Sequence, residues 1–221
     1  MSFQTEIGLL DQVDGSSTFE FATTKVITSV AGPLEITRMK NEKPTEAFLD
    51  ISIKPATDVS STRESFLVTK LAKVLQKTID MDKYARREIQ IMVQLLSPGE
   101  SEEYTVKELT AIVNSVYLSL LNGGISLRTS FWATCCVIDG NGEILMRPTN
   151  KQLRQSVSHH IAVFSIKDGK SDALIFSDSK GSFSENELLK VLDRCCDDID
   201  SFNSKVKKVV LDRVKRDYIW S

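Results

Sequence analysis

Arginine is the side chain best made to grip a phosphate, and three of this chain's arginines sit in loops beside regular elements. Arg63 follows Ser61-Thr62 ahead of a helical stretch, and Arg86 and Arg87 precede an alternating strand. A guanidinium fork offers one phosphate two N–H groups at once, which is the chemistry such loops could supply. The plainer role for each is a solvated loop charge or an ion pair. A further place for an anion is the start of the helix that carries Val106, Leu109, Val113, Val116, Tyr117 and Leu120 on one stripe. A helix N-terminus presents N–H groups and the positive end of a dipole. Here it is approached by Glu100, Ser101, Glu102 and Glu103. Carboxylates steady a helix start but repel a phosphate, so this stretch has the position of an anion site and the chemistry of a closed one.

Other reactive side chains read as structural. His159 and His160 point to opposite faces if they lie on a strand, and packing or surface roles outweigh catalysis. The cysteines form two adjacent pairs, Cys135–Cys136 and Cys195–Cys196, which lack the C-x₂-C spacing of zinc sites. They read as reduced core thiols with no metal or redox role. Lys205, Lys207, Lys208, Arg213, Lys215 and Arg216 are interleaved with Val206, Val209 and Val210. That pattern is the wet face of an amphipathic helix before it is a nucleic-acid patch. Phe131 and Trp132 are core or interface aromatics before they are stacking platforms. No catalytic residue, metal ligand set or cofactor is assigned.

The elements that hold these residues follow from periodicity. Ser17 to Ala22 and Lys25 to Ala31 flank a turn at Thr23–Thr24, a hairpin that Gly32-Pro33 closes. Lys40 to Pro44 reads as an exposed loop. Glu46 to Lys54 alternates with period two and is a strand. Asp58 to Thr62 is a polar loop running into the capping box Ser61–Glu64, and the helix behind it buries Leu67, Leu71, Val74, Leu75 and Ile79. Glu88 to Leu96 is a strand with Ile89, Ile91, Val93 and Leu95 on one face. The next helix starts at the capping box Thr105–Glu108 and ends at Gly123-Gly124. From Ser130 a second round begins. SFWATCCVID is apolar on both faces, as in a central strand. It turns at Asp139-Gly140-Asn141-Gly142 into Glu143 to Met146. A hairpin pairs His159–Ile166 with Ala173–Asp178, and Ser184–Glu187 caps a long last helix. Leu188, Leu192, Cys195, Ile199, Phe202, Val206 and Val209 form that helix's stripe.

Strands followed by a helix, repeated, give an α+β fold with a mixed sheet and helices packed on it. At 221 residues the chain is read as a single domain over residues 1–221, with loose internal halves at about 1–124 and 125–221. Hydrophobic content of 41% and charged content of 26% are those of a globular protein. A net charge of −2 gives no global pull on nucleic acid, so any such contact must be local. No secretory signal or membrane span is expected.

Several strings, in order, resemble the RNase PH superfamily and, within it, the eukaryotic RNA exosome ring subunits of the archaeal-catalytic type, the small fungal member in particular. Lys25 to Glu35 (KVITSVAGPLE) is similar to that family's early strand. Ser61-Thr62-Arg63-Glu64 resembles its arginine-bearing loop, and Tyr84 to Ile89 resembles its approach to the following strand, with Ala85 in place of proline. Gly181 to Glu185 resembles its approach to the last helix. The resemblance spans roughly residues 4 to 215 and implies a duplicated βαβα fold. It also places Arg63, Arg86 and Arg87 near an RNA path, which makes them the candidate RNA-binding residues.

Active members carry a Gly-Thr-Arg type phosphate loop before the second helix, and this chain has Ser101-Glu102-Glu103-Tyr104 there. They also carry aspartates near the positions of Arg147 and Ser158, and neither is acidic here. Phosphorolysis needs a held phosphate and a carboxylate at the leaving oxygen. The resemblance therefore implies a non-catalytic ring subunit. Its expected partners are other RNase PH-like subunits in a hexameric ring, S1/KH cap proteins, a processive 3′→5′ nuclease and single-stranded RNA, with no membrane. The expected location is nucleus, nucleolus and cytoplasm. The rival reading is a free homodimeric ribonuclease with an acidic cluster drawn from Asp50, Asp139 or Asp178.

Overall fold

The first sheet is built around β5, Arg87–Ser97, whose alternating side chains bury Ile89, Ile91, Val93 and Leu95 on one face. Each such side chain taken out of water contributes about 1.5–3 kcal/mol. In the computed structural model β5 pairs antiparallel with β3, Thr24–Glu35, and parallel with β4, Phe48–Lys54. With β1, Phe3–Ile7, and β2, Gly15–Phe21, the order is β1-β2-β3-β5-β4. A parallel neighbour requires a crossover, and α1, Thr62–Thr78, supplies it. The described residues are 3–21, 23–36, 39–57, 61–101 and 103–217, without the side chains of residues 39, 213, 216 and 217. Ala22 of the expected strand, Asp58 to Ser60 of the expected loop, Glu102, and the side chains of Arg213 and Arg216 thus lie outside the described residues.

The capping box of α1 forms as its sequence predicts: Ser61 Oγ accepts from the Arg63 N–H, and the Glu64 carboxylate accepts from the Ser61 N–H at 2.6 Å. The hairpin strand β3 runs past Gly32-Pro33 to Glu35, because a register shift between Ala31 and Leu34 absorbs the proline that cannot donate to the ladder.

Helix α2, Val106–Asn122, is buried on every side from Val106 to Leu120, well beyond the single stripe its apolar spacing predicts. It lies on β2 and β3 through small polar residues. Ser17 Oγ donates to Ser115 O at 2.7 Å, Thr28 Oγ1 to Ser115 Oγ at 2.8 Å, and Ser119 Oγ to Thr28 O at 3.2 Å. The approach is close enough that a Cβ on Gly15 would stand 2.2 Å from Ser119 O and 2.5 Å from Gly123 N. Hydroxyls that answer one another let a helix sit this tightly, because each is satisfied inside the contact.

By its contacts the chain divides into two units, Met1–Ser130 and Phe131–Ser221. The second has a four-stranded sheet of order β7-β6-β8-β9. Its strands are β6 (Ser130–Ile138), β7 (Ile144–Met146), β8 (Ser158–Lys167) and β9 (Lys170–Gly181). β6 is buried on both faces from Phe131 onward, as its run of apolar residues, broken by Thr134 alone, requires. A short helix, α3 (Asn150–Gln155), is absent from the sequence reading, although Thr149 and Gln152 form a capping box that announces it. The last helix, α4 (Glu185–Asp217), starts at the expected Ser184–Glu187 box. Its buried stripe is Val191, Cys195, Ile199, Phe202, Asn203 and Val206, while Leu188 and Leu192 are half-buried and Val209 is exposed. The stripe turns because Trp132 Nε1 of β6 donates to Asn203, so a polar residue takes a core position.

Candidate functional site

The approach to α2 is closed by its own chain. Glu100 is buried, and its Oε1 and Oε2 accept the N–H groups of Glu108 at 3.0 Å and Lys107 at 3.2 Å. These are the helix-start donors an anion would use. The expected Thr105–Glu108 box does not form; Thr105 makes no side-chain cap. Glu108 is drawn away to Arg63, whose Nη2 lies 2.7 Å from Glu108 Oε2 and donates to Tyr104 O at 2.6 Å. The loop is pinned at its other end as well. Thr23 Oγ1 donates to Gly99 O, and a Cβ on Gly99 would fall 1.7 Å from Thr24 Oγ1.

The electrostatics follow from burial. Glu108 has no exposed side-chain surface, and its ion pair is close but poorly directed, so neither oxygen accepts a well-formed hydrogen bond. Desolvation, opposed by Arg63 and reinforced by the charges of Glu100 and Glu64, lifts its pKa to about 7. Burial likewise raises Glu100, against the two N–H groups and the charges of Arg63 and Lys107. A cavity of about 580 Å³ opens beside this cluster, lined by Arg63, Glu64, Glu100 and Glu108 among others.

Arg63 is not brought together with Arg86 and Arg87. Arg63 shares its cavity with Leu95 and Pro98, at the end of β5, whereas Arg87 is the first residue of that strand. Arg63 and Arg87 thus stand at opposite ends of this 11-residue strand. Arg86, with a left-handed φ of 60°, is well exposed and lies 3.6 Å from Glu42; Arg87 lies 3.3 Å from Glu35. Both are loose surface ion pairs that an incoming phosphate can replace. Arg63 is instead the brace between α1 and the α2 start, a role no local motif announces.

In the second unit, Arg147 is neutralised from α4: its Nε and Nη2 donate to Asp198 Oδ2 at 3.1 and 3.0 Å, and Thr134 Oγ1 donates to the same oxygen at 2.7 Å. Ser158 and His160 are buried together, with Ser158 Oγ 2.9 Å from His160 Nε2 and Ser179 Oγ 2.8 Å from its Nδ1. Burial, with the charge of His159, lowers His160 to about 4, so it is a neutral link between β8 and β9. All four cysteines are thiols, with Cys136 and Cys195 in contact at 3.8 Å; that hydrogen bond and burial raise the Cys136 thiol far above its usual range. Among the described residues no group of three or more His, Cys, Asp or Glu could hold a metal ion.

The fold is thus of the RNase PH kind, a mixed α+β arrangement with its helix-start anion position filled from within. Residues 2–126 match the family model described as the 3′ exoribonuclease family, domain 1, and the chain belongs to this RNase PH family. It is similar to exosome complex component RRP46 of Saccharomyces cerevisiae, with 36% identity over 218 residues that cover 97% of each chain. It is also similar to exosome complex component rrp46 of Schizosaccharomyces pombe, at 24% identity over 93% of this chain and 88% of that one. Among solved structures it resembles rice (Oryza sativa) Rrp46, with a TM-score of 0.83 at 23% identity, covering 96% of this chain and 94% of that one. This last likeness is one of fold.

Proposed function

We propose that the chain is a non-catalytic structural subunit of the RNA exosome core ring. It helps form the channel that guides single-stranded RNA to a separate 3′→5′ exoribonuclease, in the nucleus, nucleolus and cytoplasm. The observation that carries the reading is the similarity to the Saccharomyces cerevisiae exosome component, which runs over 97% of each chain. The inactive character rests on Glu100: a carboxylate already holds the helix-start N–H groups that a phosphate nucleophile would need. The partners are other RNase PH-like subunits in a hexameric ring, S1/KH cap proteins and a processive nuclease. Arg86 and Arg87 meet RNA phosphate by replacing their surface partners, while Arg63 stays engaged with Glu108 and Tyr104 O.

The test is mild affinity purification of the chain from its own cells with mass spectrometry of what accompanies it. Other RNase PH-like proteins, S1/KH proteins and a nuclease are expected in near-equal amounts. Recovery of a lone monomer or homodimer overturns the ring reading. Phosphate-stimulated release of nucleoside diphosphates from the pure chain overturns the inactive one.

A further inference from the structure

The cavity beside α2 holds more acid than its own bases match. Glu64 is engaged by the Ser61 N–H and hydroxyl, and Glu100 by two helix N–H groups. Glu108 is different: it is wholly buried, lines the cavity, and neither of its oxygens accepts a well-formed hydrogen bond. Against these three carboxyl groups stand Arg63, in the cavity, and the charge of Lys107 acting on Glu100. Arg63 Nε is itself buried without an acceptor. The rest of the wall is mixed, with Pro55, Leu95 and Pro98 beside the hydroxyls of Thr57, Thr62 and Ser101.

This chemistry selects its occupant. A phosphate meets carboxylates and finds the helix N–H groups taken. A divalent metal lacks a ligand set among the described residues. A basic side chain fits: its methylene stem packs on Pro55, Leu95 and Pro98, and its charged head brings Glu108 donors beyond the single Arg63 nitrogen at 2.7 Å. About 580 Å³ is also ample for one such side chain and the backbone that carries it. We propose that this cavity receives an arginine or lysine side chain of a neighbouring protein chain, with Glu108 as its counter-charge. The head group displaces the Arg63 fork from Glu108, and Arg63 keeps Tyr104 O as its anchor. Taking the neighbour to be a ring partner rests on the function proposed above; the pocket itself does not.

The probes are N-acetyl-arginine amide and N-acetyl-lysine amide, titrated into the full ¹⁵N-labelled chain at pH 7, with N-acetyl-glutamate amide and spermidine as controls. The basic amides are expected to shift the amide signals of Lys107, Glu108 and loop 98–104 and the side-chain signal of Arg63. Calorimetry in buffers of different ionisation heat is expected to register a proton released on binding, since Glu108 sheds the proton it partly holds at this pH. Glu108→Gln should weaken binding about tenfold or more and abolish the proton release, as loss of a desolvated counter-charge implies. Glu108→Asp, which keeps the charge, should retain both effects and serves if Glu108→Gln does not fold. No signal shift with either basic amide, equal binding by Glu108→Gln, or binding of spermidine alone overturns the proposal. Co-purification of ring partners tests the other reading separately, and either result can fail while the other stands.

Discussion

Glu108 makes the stability of this protein depend on pH in a direction opposite to that of an ordinary paired carboxylate. Its pKa is raised from the usual 4.5 to about 7 in the folded chain. Between these values the folded state holds a proton that the unfolded state has released. The contribution of Glu108 is therefore greatest below about pH 4.5, falls as pH rises through 7, and is level above about pH 8. The shift corresponds to a loss of roughly 3 kcal/mol across that window. Glu108→Gln cannot titrate, so the difference in unfolding free energy between variant and parent should grow in the variant's favour by about 3 kcal/mol from pH 4.5 to pH 8. Urea denaturation of both chains at four pH values between these limits measures it. Taking the difference cancels every other titrating group not coupled to Glu108, His160 of the other unit included. Parallel profiles for the two chains would refute the reasoning, because they mean that Glu108 ionises in the fold as it does in water.

Four further outcomes are expected. His160 runs the other way: its pKa falls from 6.5 to about 4, so stability is full above pH 6.5 and drops by roughly 3 kcal/mol as pH falls to 4, a slope that His160→Asn should remove in acid titrations followed by circular dichroism. Gly15→Ala pushes a methyl group into Ser119 O and should cost about 3 kcal/mol or more, read as a lowered thermal midpoint. Arg147→Met leaves Asp198 with Thr134 alone and should cost about 3 kcal/mol in urea unfolding, whereas Ser184→Ala at the α4 cap should cost only about 1 kcal/mol.

Local rules carried much of the fold. The alternation of β5, the apolar run of β6 and the boxes at Ser61 and Ser184 are contests decided within a few residues, and there the pattern and the structure agree. The Thr105–Glu108 box obeys the same rule and fails, because Arg63, from α1, attracts Glu108 more strongly than a cap does, and Glu100 reaches the helix start from outside the motif. The α4 stripe shifts for a similar reason, since Asn203 is drawn inward by Trp132. The closed character of the α2 approach was legible from its acidic residues. Which glutamate closes it was not, because Gly99 and the Thr23–Thr24 turn aim Glu100, and that aim exists only once strands distant in sequence have met.

The pairing of β3 with β5 joins Lys25 to Ser97 and Glu35 to Arg87. During synthesis, the hairpin of β2 and β3 is therefore complete long before the strand that shelters it. At 5–20 residues per second, the 62 residues from Glu35 to Ser97 take about 3–12 s to emerge. For that time Phe19, Val26 and Val30 have neither β5 nor α2 to cover them. The nascent chain is then most open to wrong strand pairing, and Glu20 and Lys25, paired across the hairpin end, are the charges that stand guard there. Substitutions that neutralise them should lower the yield of folded protein in the cell while leaving the stability of the finished molecule almost unchanged.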